Sequence, residues 1–246
     1  MSELDPSASH GMPLYKEVKR QLLKSLSENE WAPGQAVPSE TQLCLRYGIS
    51  IGTLRKAVDE LAAESILVRH QGRGTFVTTH NRHEQLFRFF HVVRQDGLKS
   101  YPVLQLVAFG RGKPDKPARK RLCMTPGARA IQFTNLHSQN GEPVMIDEIT
   151  LPEAPFANLS EATLRQRPST LYNLYQLEFG LNVIRIEERL RATQAEPGHA
   201  ALLGIDAGAP LLQIQRTAFS YNDYPVESRL SFVNTQRYEY FPAAAR

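Results

Sequence analysis

The sequence predicts an α+β protein in two parts: an N-terminal winged helix-turn-helix, then a mainly antiparallel sheet with helices. Three observations carry this. Two capped helical stretches lie back to back across a short turn between Ser39 and Leu61. A glycine-bounded hairpin, "ILVRHQGRGTFV", follows directly. Beyond residue 100, six long β-type runs alternate with three short helical ones.

Taken in order, residues 1–12 are polar, lack a signal-peptide core and are expected to form a disordered tail. Tyr15, Val18, Leu22, Leu23 and Leu26 recur at helical spacing, and Pro33-Gly34 ends that helix. Ser39 and Gln42 have the S-x-x-Q spacing of a capping box, and Gly48 suits the left-handed position that stops a helix. Ser50 caps the next helix, whose Leu54, Val58 and Leu61 form one apolar face. Ile66–Val68 and Thr75–Val77 read as strands, with Gly72 and Gly74 permitting a tight turn about Arg73. This first domain spans residues 13–78, and the polar 79–84 segment reads as a linker. Residues 85–246 form the second domain. Its strands are expected in "VLQLVAFG", "RAIQFTNLHSQ", "EPVMIDEITLP", "LNVIRIEERLRAT", "PLLQIQRTAFSY" and "YPVESRLSFV". Helices are expected near Pro117–Leu122, Thr170–Phe179 and Gly198–Leu203.

Composition is that of a core-forming globular protein: 246 residues, 41% hydrophobic and 22% charged, with a formal charge of +4. That charge permits a polyanionic partner without demanding one, so placement of charge must carry any nucleic-acid argument. Two distant cysteines, Cys44 and Cys123, make no disulfide framework. No run approaches the ~18 apolar residues of a membrane span, and the expectation is a cytoplasmic protein without cofactor or membrane partner.

The front of the second capped helix answers a specific requirement. A helix that reads DNA packs by one side and inserts its N-terminal end into the major groove. Small residues let the backbone approach, hydroxyls contact phosphates or bases, and arginine pairs bidentately with guanine. Ser50, Ile51, Gly52, Thr53, Arg55 and Lys56 offer that set. Ser39 and Thr41 at the preceding helix start, and Gln71, Gly72, Arg73 and Gly74 on the wing, complete the expected DNA-binding surface. A solvated, capped surface helix is the ordinary alternative for one element alone. The succession of all three selects the DNA reader.

"PSETQLCLRYGISIGTLRKAVDELAAESILVRHQGRGTFV" resembles the winged-helix domain of the GntR family of bacterial transcription regulators. One position departs: that family usually places Arg after the capping Ser, and this chain has Ile51. An apolar side chain there suits a thymine methyl. "HSQNGEPVMIDEITLP", "STLYNLYQLEFG" and "DYPVESRLSFV" are similar to the effector-binding domain of the HutC-type branch, whose fold resembles chorismate lyase. The resemblance implies a homodimer on a palindromic double-stranded operator, and a small effector in the second domain. It also implies effector contacts at Asn135, His137, Asp147, Thr170, Tyr172 and Glu227. Sugar-phosphate binders of this branch carry two Arg where Asn135 and His137 stand, so a non-phosphorylated effector is favoured. Each residue also has an ordinary role to fill: Asp147 pairing across strands with Arg185 or Arg189, Tyr172 in a core with Tyr175, His137 as a satisfied histidine. Arg88 and Arg94 are further candidates to bring charge to the pocket.

A lyase acting on a small carboxylate is the alternative function, since fold does not fix activity. The chain has no HExxH, GxSxG, P-loop or GxGxxG motif, and His80 and His83 lack cysteine partners for zinc. The reading is a non-enzymatic regulator.

Overall fold

The computed structural model describes residues 12–79, 89–96, 102–167 and 170–242. The expected tail lies outside these residues except for Met12. So do residues 80–84 of the linker, including His80 and His83, and also Arg88 and Gly97. The chain forms two compact units dividing near residue 80.

In the first unit, α1 (Leu14–Ser27), α2 (Glu40–Tyr47) and α3 (Ile51–Ala63) precede the hairpin β1 (Leu67–His70) and β2 (Gly74–Val77). Val18, Leu22 and Leu26 of α1 and Leu54, Ala57, Val58 and Leu61 of α3 are buried. Lys19 ties the two helices by reaching Glu60 at 2.9 Å and Glu64 at 2.5 Å. The capping box is complete: Ser39 Oγ accepts from the Gln42 amide, and Gln42 Oε1 accepts from the Ser39 amide at 2.9 Å. Gly48 is left-handed at φ 64°, and the Ser50 side chain caps α3. One pairing escaped the sequence reading. The segment before α2 adds to the wing, with an antiparallel bridge between Ala36 and Phe76 and a Val37 amide bonded to the Thr75 carbonyl at 2.9 Å.

The second unit contains β3 (Val92–Arg94), β4 (Val103–Gly112), α4 (Lys116–Arg121), β5 (Ala130–Gln139) and β6 (Glu142–Pro152). There follow α5 (Glu161–Gln166), α6 (Leu171–Phe179), β7 (Arg185–Gln194), α7 (Pro197–Leu203), β8 (Pro210–Phe219), β9 (Pro225–Val233) and β10 (Tyr238–Tyr240). Six strands make one antiparallel sheet in the order β4-β5-β6-β9-β8-β7, and β3 pairs with β10 separately. All six expected strands are present. The run "LNVIRIEERLRAT" enters the sheet only at Arg185, four residues late. The α5 helix and the β3–β10 pair were not foreseen; each is too short to show a period.

One sheet face packs Ile131, Phe133, Ile149 and Leu151 against Leu164, Leu174 and Tyr175 of α5 and α6. The other packs Leu136, Ile146 and Phe232 with Ala200 and Leu203 of α7. Strand alternation therefore sorts neighbours to opposite faces. Asp147 is buried on the α6 side, while Glu148 meets His199 Nε2 at 2.9 Å on the other.

Gly48→Ala tests the turn between α2 and α3. Nothing lies within 4 Å of an added Cβ, so the penalty is purely conformational. A loss of about 1 kcal/mol is expected in denaturant titration. An unchanged midpoint would show that the turn tolerates a side chain.

Candidate DNA-reading surface and effector site

The start of α3 is open and small. Ser50 Oγ accepts from the Thr53 amide at 3.3 Å and lies 2.9 Å from Thr53 Oγ1, so both hydroxyls are held at the helix N-terminus. Ile51 is 48% exposed, an apolar side chain left in solvent beside the cap. Gly52 has ordinary helical φ, and an added Cβ would meet only Ser50 Oγ, at 4.0 Å. The fold does not require glycine here; a closely approaching partner does.

Arg55 leans across to α2, with Nη2 2.8 Å and Nε 2.9 Å from Glu40 Oε2. This exposed pair orients the guanidinium without burying it. Glu40 is a positioning residue that the sequence reading did not single out. Lys56 behaves differently: its ammonium sits 4.1 Å from the centre of the Tyr15 ring, drawn toward α1. At the wing tip, Gly72 and Gly74 take φ of 72° and 107°, which holds Arg73 outward between them. Gln71, Gly72, Arg73 and Gly74 share a cleft of about 450 Å³ with Ser39 and Glu40, so wing and α2 start meet around one concavity. Thr41 is exposed in the first turn of α2. All of the expected DNA-binding residues except Lys56 thus present to solvent without a competing ring partner, or line that cleft.

In the second unit, Asn135, His137, Asp147, Tyr172 and Glu227 are all buried and belong to one polar network. Antiparallel register places Asn135 opposite Asp147, and Asp147 opposite Ser231. Asp147 Oδ2 accepts from His137 Nε2 at 2.8 Å and from Arg229 Nη1 at 2.9 Å, while Oδ1 accepts from Ser231 Oγ at 2.5 Å. Arg229 turns its other edge to Glu227, with Nε and Nη2 each 2.9 Å from one carboxylate oxygen. Glu227 accepts further from Tyr172 at 3.2 Å and Tyr175 at 2.8 Å. A second ion pair adjoins: Arg216 Nε reaches Glu188 Oε1 at 2.8 Å and Nη1 reaches the Tyr172 hydroxyl at 3.5 Å. Glu188 also meets His91 at 3.0 Å and the Tyr240 hydroxyl.

The partner of Asp147 is therefore Arg229, not Arg185 or Arg189. Both β9 and β8 lie between β6 and β7 in the sheet, so a β7 arginine is two strands too far. Arg185 instead reaches Glu187 at 2.6 Å. Arg94 also serves elsewhere, bonded to Asp96 at 2.5 Å. Thr170 caps α6, its Oγ1 accepting from the Asn173 amide at 3.2 Å. Arg229, Arg216, Ser231 and Tyr175 were missed, although two buried carboxylates on facing strands demand cations.

Several buried atoms have no hydrogen-bond partner among the described residues: Asn135 Oδ1 and Nδ2, His137 Nδ1, and Arg167 Nε and Nη2. Each such group costs about 1–3 kcal/mol when desolvated unpaired. Their concentration around Asp147 marks a place built for something other than stability. Among the described residues no cluster of three His, Cys, Asp or Glu could hold a metal.

Burial pushes these acids up, but their cations outweigh it. For Asp147, Arg229 and His137 hold the carboxyl well below its ordinary value. For Glu188, the His91 hydrogen bond and the Arg216 charge bring it down to about 2 from 4.5. Burial, with Glu227 beside it, pushes the Tyr172 hydroxyl up to about 12. A carboxyl depressed by folding stabilises the fold above its unfolded pKa, and that stabilisation is lost as pH falls toward the folded value. The denaturation midpoint is expected to hold from pH 7 to 5.5 and fall steadily below about 4.5. A flat profile to pH 3 would contradict the network.

Comparison with known proteins agrees with this division. Residues 14–77 match the model of the bacterial regulatory proteins of the gntR family, and residues 99–239 match the UTRA domain. A histidine utilization repressor of Pseudomonas putida is 29% identical over 221 residues, 89% of this chain and 87% of that protein. The transcriptional repressor NagR of Bacillus subtilis is 28% identical over 250 residues, 93% of each chain. The crystal structure of the ligand-binding domain of a protein described as a GntR-family regulator, from Bordetella bronchiseptica, superposes with a TM-score of 0.61 at 30% identity. It covers 63% of this chain and 96% of that one. A capped recognition helix, a glycine-set wing and a six-stranded sheet enclosing a polar network are thus the parts of a family member: the chain belongs to the GntR family of bacterial transcription regulators, in the HutC-type branch that carries a UTRA domain.

Proposed function

We propose that this chain is a homodimeric repressor, bound to a palindromic operator in the cytoplasm, whose DNA affinity is set by a small non-phosphorylated effector. The observation that carries the DNA half is the open front of α3, where Ser50, Gly52 and Thr53 crowd a free helix N-terminus beside Arg55. The observation that carries the effector half is the buried polar network around Asp147 and Glu227 with its unpartnered atoms. Two-fold symmetry of a dimer joined through the sheet domains matches two-fold symmetry of an operator. Effector binding changes the spacing or freedom of the two DNA readers through the 79–84 segment. A coupling of about 1–3 kcal/mol suffices to switch occupancy. Known relatives are named repressors, which supports repression as the sign. A lyase reading gains no support from the network, because Asp147 is held ionised by Arg229 and lacks the near-neutral pKa of a general acid or base.

Fluorescence anisotropy with the protein's own promoter DNA, at fixed salt and with a metabolite panel, tests the reading. Tight, sequence-selective binding that one metabolite reverses supports it. Absence of selective binding, with turnover of a carboxylate, would favour the enzyme. Arg55→Ala is expected to weaken operator binding by roughly ten- to hundredfold, from about 1–3 kcal/mol per bidentate contact. Unchanged affinity removes Arg55 from the interface. Gly52→Ala should raise the melting temperature of the free protein, since alanine is the better helix former by about 0.8–1.0 kcal/mol, yet weaken operator binding. If affinity is retained, α3 does not approach DNA there. Glu227→Gln is expected to shift the effector dose-response by tenfold or more, and an unshifted response takes Glu227 out of the site.

A further inference from the structure

Arg167 follows α5, and its Nη1 donates to the Leu164 carbonyl at 2.5 Å, which fixes the guanidinium plane. Its Nε and Nη2 are buried and have no acceptor among the described residues. Those two atoms form the side-on edge of the guanidinium. Arg229 displays the same edge in use, with Nε and Nη2 each 2.9 Å from the two oxygens of Glu227. Guanidinium does not deprotonate in proteins, and this edge matches a carboxylate bidentately. The carboxylate whose charge acts on Arg167 is Asp147, and that group is already engaged by Arg229, His137 and Ser231.

Two more groups around Asp147 point the same way. Asn135 is fully buried with both amide atoms unpartnered, so it offers one donor and one acceptor. His137 Nε2 faces the ionised Asp147 and therefore carries the proton, which leaves Nδ1 as an unpartnered acceptor in the neutral ring. Charge count limits the ligand further. Arg167, Arg216 and Arg229 face Asp147, Glu188 and Glu227, so the cluster is near neutral before anything binds. A monoanion leaves one surplus charge in the interior, and a phosphate-ester dianion leaves two.

We infer that the effector is a small carboxylate monoanion. Its carboxylate takes Nε and Nη2 of Arg167, and an adjoining group that both donates and accepts hydrogen bonds is read by Asn135 and His137 Nδ1. This inference rests on the effector-site reading above and names its ligand class. Arg167 is the specificity-determining residue. Its buried unpaired edge is a cost in the ligand-free protein that only an acceptor-bearing ligand offsets.

The test uses the full-length protein in thermal melts at pH 7.5 and constant ionic strength. The probes are nicotinate and imidazole-4-acetate, their primary amides as neutral counterparts, and methyl phosphate as a dianion. At least one carboxylate is expected to raise the wild-type melting temperature, with its amide and methyl phosphate at least tenfold weaker by midpoint concentration. Arg167→Met should abolish the carboxylate response and, without any probe, melt at or above wild type. The inference is overturned by any of four results: Arg167→Met melting several degrees lower, which makes the guanidinium structural; amide binding equal to carboxylate; methyl phosphate binding tighter; or no carboxylate response in wild type. A metabolite that reverses operator binding equally in wild type and Arg167→Met overturns this inference while leaving effector regulation standing. Loss of selective operator binding in wild type removes the regulator reading instead.

Discussion

Arg229 is the constraint on which the second domain turns. Its guanidinium lies between Asp147 on β6 and Glu227 on its own strand, with both carboxylates fully buried. Neither acid is tolerable there alone, because an ionised carboxylate in a low-dielectric interior must be paired or neutralised. The arginine therefore fixes two ionised acids, and those acids in turn hold His137, Ser231, Tyr172 and Tyr175. Replacing this set with apolar side chains would make an easier core. Its retention in the middle of the sheet implies that recognition, not stability, is what it serves.

The first domain solves the opposite problem: it must leave polar groups exposed and still hold them in place. Caps do this locally. Ser50 spends its hydroxyl on the α3 amides, the Ser39–Gln42 box fixes the start of α2, and Glu40 steadies Arg55 from outside. Small residues keep the helix end flat. The apolar contacts of α1 and α3 sit on the far side, so changes in the reading surface need not disturb the core.

Much of this was legible in the sequence because the signals are local. Caps, turn glycines and strand alternation act over two to four residues, and they placed α2, α3, the wing and all six sheet strands. Alternation also assigned Asp147 rather than Glu148 to the interior. What it could not supply was strand order. The pairing of β9 with β6 joins residues more than eighty positions apart, and only that pairing brings Arg229 to Asp147. The same nonlocality hid Arg167 and Arg216, and the addition of Ala36 to the wing. Lys56 read as a reader of DNA from its place on the helix, but the ring of Tyr15, forty-one residues earlier, draws its charge aside.

The central claim is that one domain reads DNA, the other reads a small molecule, and the two are energetically coupled. Linkage makes that claim measurable from either side, since effector and operator must alter each other's affinity by the same factor. Effector affinity should be measured by calorimetry on the free protein and on the protein saturated with operator duplex. The account predicts that operator DNA weakens effector binding by the factor with which effector weakens operator binding, within roughly 5–150-fold. Identical effector affinity with and without operator would contradict it.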